Sequence, residues 1–126
     1  MKSEDHTILV VEDDEASREF LSEVIGSLGY KLITAKNGRE GIDHFKKYGA
    51  DLILLDIRLP DINGIEVLER LKEHSPEIPV IAQTAFAMQQ EREEFLSRGF
   101  DGYISKPVKP EALASAILKF LGDGKN

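Results

Sequence analysis

Five short runs of mostly apolar residues recur along the chain and indicate buried strands. They cover residues 7–11, 30–34, 52–55, 79–82 and 102–104. The alternation of apolar and polar residues that marks a strand with one face in water is largely missing from them. Such runs are typical of parallel strands, because helices cover both faces of a parallel sheet. The pattern therefore predicts a sheet in the interior of the protein.

Apolar residues at helical spacing follow four of these runs, and a polar stretch that is predicted to be helical follows the fourth run. The first helix ends at Gly29, and Asp14 is expected to cap or begin it. Asn37 opens the second helix, a polar fourth helix is predicted over about residues 88–98, and Pro110 occupies the first position of the fifth. The residues that give four of these helices their apolar faces are Ala16, Phe20, Leu21, Val24, Ile25, Leu28, Ile42, Phe45, Ile65, Leu68, Leu71, Leu113, Ile117, Phe120 and Leu121.

The order of elements is strand then helix, repeated five times. Right-handed crossovers between parallel strands turn this order into a doubly wound α/β layer with helices on both faces. Five repeats are too few for an eight-stranded barrel. A chain of 126 residues without a linker or low-complexity stretch is the size of one domain. We therefore predict a single α/β domain.

The composition excludes several kinds of binding partner, metal site and cellular location for this domain. Apolar residues make up 41% of the chain and the formal net charge is −7, which argues against a nucleic-acid-binding surface. There is no cysteine, so disulfides and thiolate metal sites are excluded. The N-terminal residues lack the apolar core of a signal peptide, and no apolar run approaches the roughly 18 residues of a membrane span. We expect a cytoplasmic protein that contacts neither nucleic acid nor membrane.

Polar residues that could bind ligands or take part in a reaction follow four of the five predicted strands. In a parallel sheet the carboxyl ends of the strands lie at one edge, where ligands bind. We therefore expect the residues after these strands to converge, and we expect Asp56 to lie at this edge, not to be buried in the sheet. The residues are Glu12 and Asp13, then Asp56, then Gln83 and Thr84, then Ser105, Lys106 and Pro107.

The acids in this set call for a cation, because neighbouring carboxylates repel one another. Oxygen ligands without cysteine or histidine favour Mg²⁺ or a similar ion such as Mn²⁺. Lys106 supplies a positive charge and Thr84 a hydroxyl donor for a bound anion. A cation, an ammonium and a hydroxyl around one carboxylate suit phosphoryl transfer, which depends mainly on positioning and charge neutralisation. Because carboxylates serve as phosphoryl acceptors, Asp56 is the candidate acceptor.

The motifs ILVVEDDE, LILLDIRLPDINGIEVL, PVIAQTAFA and GFDGYISKP resemble, in order and position, those of the receiver domain of two-component response regulators. The resemblance extends over residues 7–121. It implies a flavodoxin-like (βα)5 fold whose five-stranded parallel sheet has the strand order 2-1-3-4-5. It also implies that residues 1–126 form one receiver domain with no output domain.

The resemblance implies a Mg²⁺ site on four residues. Asp13 and Asp56 would bind the ion directly, together with the backbone carbonyl of Arg58, and Glu12 would hold it through water. Many family members have an aspartate where this chain has Glu12. The longer side chain leaves direct binding open as an alternative.

The resemblance also implies a switch that responds to phosphorylation of Asp56. Lys106 would pair with the phosphoryl oxygens, Thr84 would move toward them, and Tyr103 would rotate inward behind it. A Lys106–Pro107 cis peptide is implied, since cis bonds are almost confined to proline. The small Ala85 would leave the acceptor open to a donor. An aromatic residue at a strand end can also be a plain core residue, which is the alternative for Tyr103.

The resemblance implies a signalling switch and not an enzyme on other substrates. The phosphoryl donor would be a histidine kinase or a histidine phosphotransfer protein. The surface of the fourth helix, fifth strand and fifth helix would then bind a downstream protein, with the receiver as a monomer or a phosphorylation-dependent dimer. The chain is expected to act either as a standalone regulator or as the receiver segment of a hybrid histidine kinase.

Three other functions compete with this interpretation. An aspartate-nucleophile phosphohydrolase on a related fold would carry an Asp-x-Asp motif after the first strand, whereas Asp13 is followed two residues later by Glu15. A nucleotide-binding domain would carry a glycine-rich phosphate loop, and no such motif is present. A receiver that has lost phosphorylation and acts only as a scaffold would not need Asp56, Thr84 and Lys106 together.

Overall fold

A computed structural model of the protein describes residues 6–85 and 89–122, with the side chain of residue 89 excepted. Five strands alternate with five helices, as the hydrophobic pattern predicts. The strands are β1 (Thr7–Val11), β2 (Lys31–Ala35), β3 (Leu52–Asp56), β4 (Val80–Thr84) and β5 (Gly102–Ser105). The helices are α1 (Glu15–Ser27), α2 (Gly38–Tyr48), α3 (Gly64–His74), α4 (Gln89–Ser97) and α5 (Pro110–Leu121).

The five strands form one parallel sheet in the order β2-β1-β3-β4-β5. This is the order of the predicted flavodoxin-like fold, which is confirmed. Its register brings Val11 opposite Leu55, Asp56 opposite Gln83, and Thr84 opposite Ser105. The carboxyl ends of β1, β3, β4 and β5 therefore meet at one edge.

Two hydrophobic clusters cover the two faces of the sheet. One contains residues of α2, α3 and α4, such as Phe45, Leu68 and Phe95, and the other contains residues of α1 and α5, such as Leu21 and Leu113. β1 contributes alternate residues to the two clusters, and all of its residues from 8 to 11 are 0% exposed. The continuous apolar runs thus reflect burial on both faces.

Side-chain caps start three of the helices. Asp14 Oδ2 accepts a hydrogen bond from Ser17 N at 2.9 Å, which confirms Asp14 as the cap of α1. The hydrogen bonds from the backbone and side chain of Ser17 lower the pKa of the Asp14 carboxyl. Asn37 and Asn63 cap α2 and α3 in the same way, satisfying backbone donors that have no partner inside the helix.

Several predicted boundaries differ from the structure by one or two residues. β2 lies one residue later than predicted, and β3, β4 and β5 continue into Asp56, into Gln83 and Thr84, and into Ser105. These polar residues belong to the strands because their backbones stay in register with the neighbouring strand. The predicted start of the fourth helix, Met88, lies outside the described residues. None of the described helices has the length and apolar character needed to cross a membrane.

Candidate functional site

Three carboxylates converge at the carboxyl ends of β1 and β3. Glu12, Asp13 and Asp56 each place one oxygen within 4.8 Å of the others, and we call them the acidic cluster. Glu12 and Asp56 are buried and Asp13 is exposed. The prediction that Asp56 lies outside the buried sheet is wrong: it is the last residue of β3 and only 4% exposed. Pairing with Gln83 of β4 keeps it inside the sheet.

Both oxygens of Asp56 are held by protein donors. Asp56 Oδ2 accepts a hydrogen bond from Lys106 Nζ at 2.7 Å, and Oδ1 accepts one from Arg58 N at 2.9 Å. The first bond joins two residues that are 50 positions apart in the chain. The carboxylate therefore has a fixed orientation and a positive charge beside it.

Lys106 is the cation of the site, and it directly follows Ser105, the last residue of β5. Its backbone N donates to Thr84 O at 2.8 Å, and the following peptide bond, to Pro107, is cis, the isomer that the resemblance implies. Its ammonium also lies 3.2 Å from Glu12 Oε1. Burial opposes the charge of Lys106, but the hydrogen bond and charge of Asp56 and the charge of Glu12 outweigh burial and raise its pKa.

The charged form of the Glu12 carboxylate is disfavoured by its surroundings. Burial, the hydrogen bond with Asp56 and the charge of Asp56 raise the pKa of Glu12 to about 7. The backbone hydrogen bond from Asp14 N to Glu12 Oε2, 3.1 Å long, and the charge of Lys106 oppose this rise. The site therefore carries more negative charge than Lys106 alone neutralises.

Removing the charge of Glu12 is expected to stabilise the metal-free protein at alkaline pH. The folded state binds this proton more tightly than the unfolded state, so the free energy of unfolding falls as pH rises from about 4.5 to about 7. Glu12→Gln removes this loss of stability, but it also removes the attraction between Glu12 and Lys106. We therefore expect the free energy of unfolding of the variant to exceed that of the wild type by about 2 kcal/mol at pH 8. Urea unfolding with EDTA present, at pH 8 and pH 5, measures it.

The gain of Glu12→Gln should shrink toward zero at pH 5, where the carboxyl is already protonated in the folded state. Asp13→Asn is the matched control, because Asp13 belongs to the same cluster but is exposed. A gain of equal size at both pH values would contradict the account of Glu12.

The acidic cluster fits a magnesium ion by its chemistry. All the atoms with which it could bind a metal ion are carboxylate oxygens, the ligands that Mg²⁺ prefers. Glu12 Oε1 is buried, and the Lys106 ammonium at 3.2 Å is its ion-pair partner. A divalent cation would offset the repulsion between these carboxylates and favour the charged form of Glu12, whose pKa is raised.

Of the remaining predicted site residues, Thr84 and Ala85 lie beside Asp56, whereas Tyr103 lies apart from it. Thr84 is 5% exposed and lines a cavity of about 360 Å³ together with Asp56, Ala85 and Lys106. Tyr103 does not line this cavity. Its hydroxyl accepts a hydrogen bond from Arg92 Nη1 of α4, and the Arg92 guanidinium lies 5.0 Å from the centre of its ring. Tyr103 is thus held on the α4 side.

Two residues of this region were given no role from the sequence. Gln83 appeared there only as a polar residue after the fourth strand, and the structure places it inside β4, fully buried beside Asp56. An amide within an apolar run was the available signal. Arg92 is one of many charged residues on a polar helix, so nothing in the sequence distinguished it.

Comparison with known proteins identifies the family. The model of the response regulator receiver domain matches residues 8–118. The polar-differentiation response regulator DivK of Brucella anthropi is 39% identical over 119 residues, which are 93% of this chain and 97% of DivK. The predicted resemblance to two-component receivers is confirmed.

Similar solved structures are receivers of the same family. The chemotaxis protein CheY4 of Vibrio cholerae gives a TM-score of 0.86 at 26% identity, covering 92% of this chain and 98% of CheY4. The receiver domain of the sensor histidine kinase PA1611 of Pseudomonas aeruginosa, which holds a magnesium ion in its active-site cleft, gives 0.85 at 29% identity over 93% and 98% of the two chains. The chain belongs to the response regulator receiver domain family of two-component signalling.

Proposed function

We propose that this receiver accepts a phosphoryl group on Asp56 from a phosphohistidine of a histidine kinase or a histidine phosphotransfer protein. The observation that carries the proposal is the 2.7 Å bond from Lys106 Nζ to a buried Asp56 carboxylate inside an acidic cluster. Burying these charges costs free energy, and binding of a cation and of a phosphoryl group at the same carboxylate would offset that cost.

The residues of the chain support each part of the transfer. An Asp56 oxygen attacks phosphorus, the P–N bond to the histidine breaks, and its electron pair returns to the imidazole nitrogen while an acyl phosphate forms on Asp56. Lys106 lies where it can neutralise the phosphoryl oxygens, and the Thr84 hydroxyl borders the same cavity. The small, exposed Ala85 leaves access from solvent.

A bound Mg²⁺ would be held by Asp13 and Asp56, by the backbone carbonyl of Arg58 and, directly or through water, by Glu12. It would neutralise charge on the phosphoryl group during transfer. The support is the donor chemistry of the acidic cluster. Two related structures also contain magnesium: the PA1611 receiver and a CheX–CheY complex with beryllofluoride from Borrelia burgdorferi.

Phosphorylation would change the surface formed by α4, β5 and α5 and so create a binding site for a downstream protein. Tyr103 lines a groove of about 520 Å³ there, with Leu96 of α4 and Phe120 of α5. Tyr103 of β5 is opposite Ala82, two residues before Thr84 in the adjacent strand β4, so the two residues are diagonal neighbours and a movement of Thr84 would alter the surroundings of Tyr103. Release of Tyr103 from Arg92 would be the structural signal.

The receiver would work in the cytoplasm as one unit of residues 7–121, either as a free regulator or as the receiver segment of a hybrid histidine kinase. It would act as a monomer or as a phosphorylation-dependent dimer. Its only chemistry would be its own phosphorylation and dephosphorylation.

Beryllofluoride, which mimics an aspartyl phosphate, tests the proposal. With Mg²⁺ present, amide NMR signals should shift at residues 56, 84 and 106 and, farther away, at Tyr103 and along α4. Chelation of Mg²⁺ should reverse the shifts, and Asp56→Asn should not show them. Shifts confined to the acidic cluster would contradict the switch, and no shift at all would contradict the acceptor role.

A further inference from the structure

Gln83 is the buried polar residue of the site that the proposed function leaves without a role. It is 0% exposed within β4. Both of its side-chain polar atoms, Oε1 and Nε2, are buried and lack a hydrogen-bond partner in the part of the chain that the structure describes. A buried amide in this state destabilises the protein unless another state satisfies it.

The sheet places this amide in line with the acidic cluster. Asp56 is opposite Gln83, and Glu12 follows Val11, which is opposite Leu55, so the three side chains form a row across β1, β3 and β4. Neighbouring strands are about 4.8 Å apart. The longer side chains of Glu12 and Gln83 flank the short one of Asp56 from both sides.

Gln83 and Lys106 are the residues that line both cavities of this region. One cavity, of about 370 Å³, includes Glu12 and Ser17, and the other, of about 360 Å³, includes Asp56 and Thr84. Glu12 Oε1 is buried in the first cavity and pairs there with the Lys106 ammonium at 3.2 Å, so the unpaired amide of Gln83 shares this cavity with a buried ion pair. An amide supplies donors and an acceptor without adding charge to a site that already has three acids.

We propose that Gln83 is a positioning residue for the cation site. Its amide would become hydrogen-bonded, directly or through a water molecule, to Glu12 and Lys106 when these side chains rearrange around a bound Mg²⁺. This inference rests on the proposed function and assigns a new residue to it. The amide gains bonds in the loaded state that it lacks in the free state, and such a difference raises the affinity for the ion.

Gln83→Met tests the inference, because methionine keeps the approximate length and volume of glutamine and removes its hydrogen-bonding groups. We expect the Mg²⁺ dissociation constant, from a titration followed by amide NMR shifts, to rise about tenfold. Urea unfolding in EDTA should show equal or greater stability than the wild type, since a buried unbonded amide is lost. Gln83→Leu provides a second variant should the first not fold.

Ile81→Val is the matched control, because Ile81 is a fully buried residue of β4 on the same face, two residues before Gln83. It should lower stability and leave the Mg²⁺ dissociation constant unchanged. A wild-type dissociation constant in both Gln83 variants would overturn the inference alone. Failure of the wild type to bind Mg²⁺ would overturn the proposed function, and the inference with it.

Discussion

Asp56→Asn is expected to reduce phosphorylation of the protein by acetyl phosphate and Mg²⁺ to background. An amide oxygen carries no charge and is a far weaker nucleophile than a carboxylate. The replacement has nearly the same shape, so its oxygen still accepts the bond from Arg58 N. Intact-protein mass spectrometry measures the result as loss of the added phosphoryl group.

Asp43→Asn is the control for this experiment, because it makes the same substitution at an exposed residue of α2 away from the acidic cluster. It should take up one phosphoryl group as the wild type does. A phosphoryl group retained by Asp56→Asn would show that another residue is the acceptor. Circular dichroism of both variants verifies that neither result comes from unfolding.

Gly64→Ala is expected to destabilise the fold by about 3 kcal/mol, near the upper end for an overpacked site. A Cβ atom at Gly64 would lie 2.7 Å from Ile57 Cα, 2.9 Å from Asp56 O and 3.1 Å from Ile57 O. These are backbone atoms that cannot rotate away. Gly64 N also donates to Ile57 O at 3.0 Å, so the loop after β3 must open and disturb Asp56.

Gly26→Ala is the matched control for Gly64→Ala. Gly26 lies in α1, and a Cβ atom there would meet nothing within 4 Å. Because alanine favours a helix over glycine, we expect no loss and a gain of up to about 1 kcal/mol. Urea unfolding of both variants gives the comparison. Equal stability of Gly64→Ala and the wild type would contradict the close packing described between α3 and the end of β3.

The fold was predictable because its signals are local. Each strand is a short apolar run, and each helix has its own stop or cap, such as Gly29 after α1 and Asp14 before it. Parallel strands buried on both faces leave one arrangement of helices, so the order of elements was enough to predict the fold class. The strand order came from the resemblance and is the order observed.

The details of the site were less predictable because they depend on neighbouring strands. Asp56 was expected outside the buried sheet, yet pairing with Gln83 extends β3 through it. The contact between Arg92 and Tyr103 and the burial of Gln83 arise between elements that are separate in sequence. Convergence of polar residues was correctly expected from their positions after the strands, but their hydrogen bonds were not.

Chemical identification of the phosphorylated residue tests the central claim most directly. Borohydride reduces an aspartyl phosphate to homoserine, and peptide mass spectrometry then locates the altered residue. After incubation with acetyl phosphate and Mg²⁺, we expect homoserine at position 56 and nowhere else, and none when Mg²⁺ is chelated. Homoserine at position 13 or 14 would contradict the assignment of the acceptor. No homoserine with either acetyl phosphate or a phosphohistidine protein as donor would contradict the phosphoacceptor function.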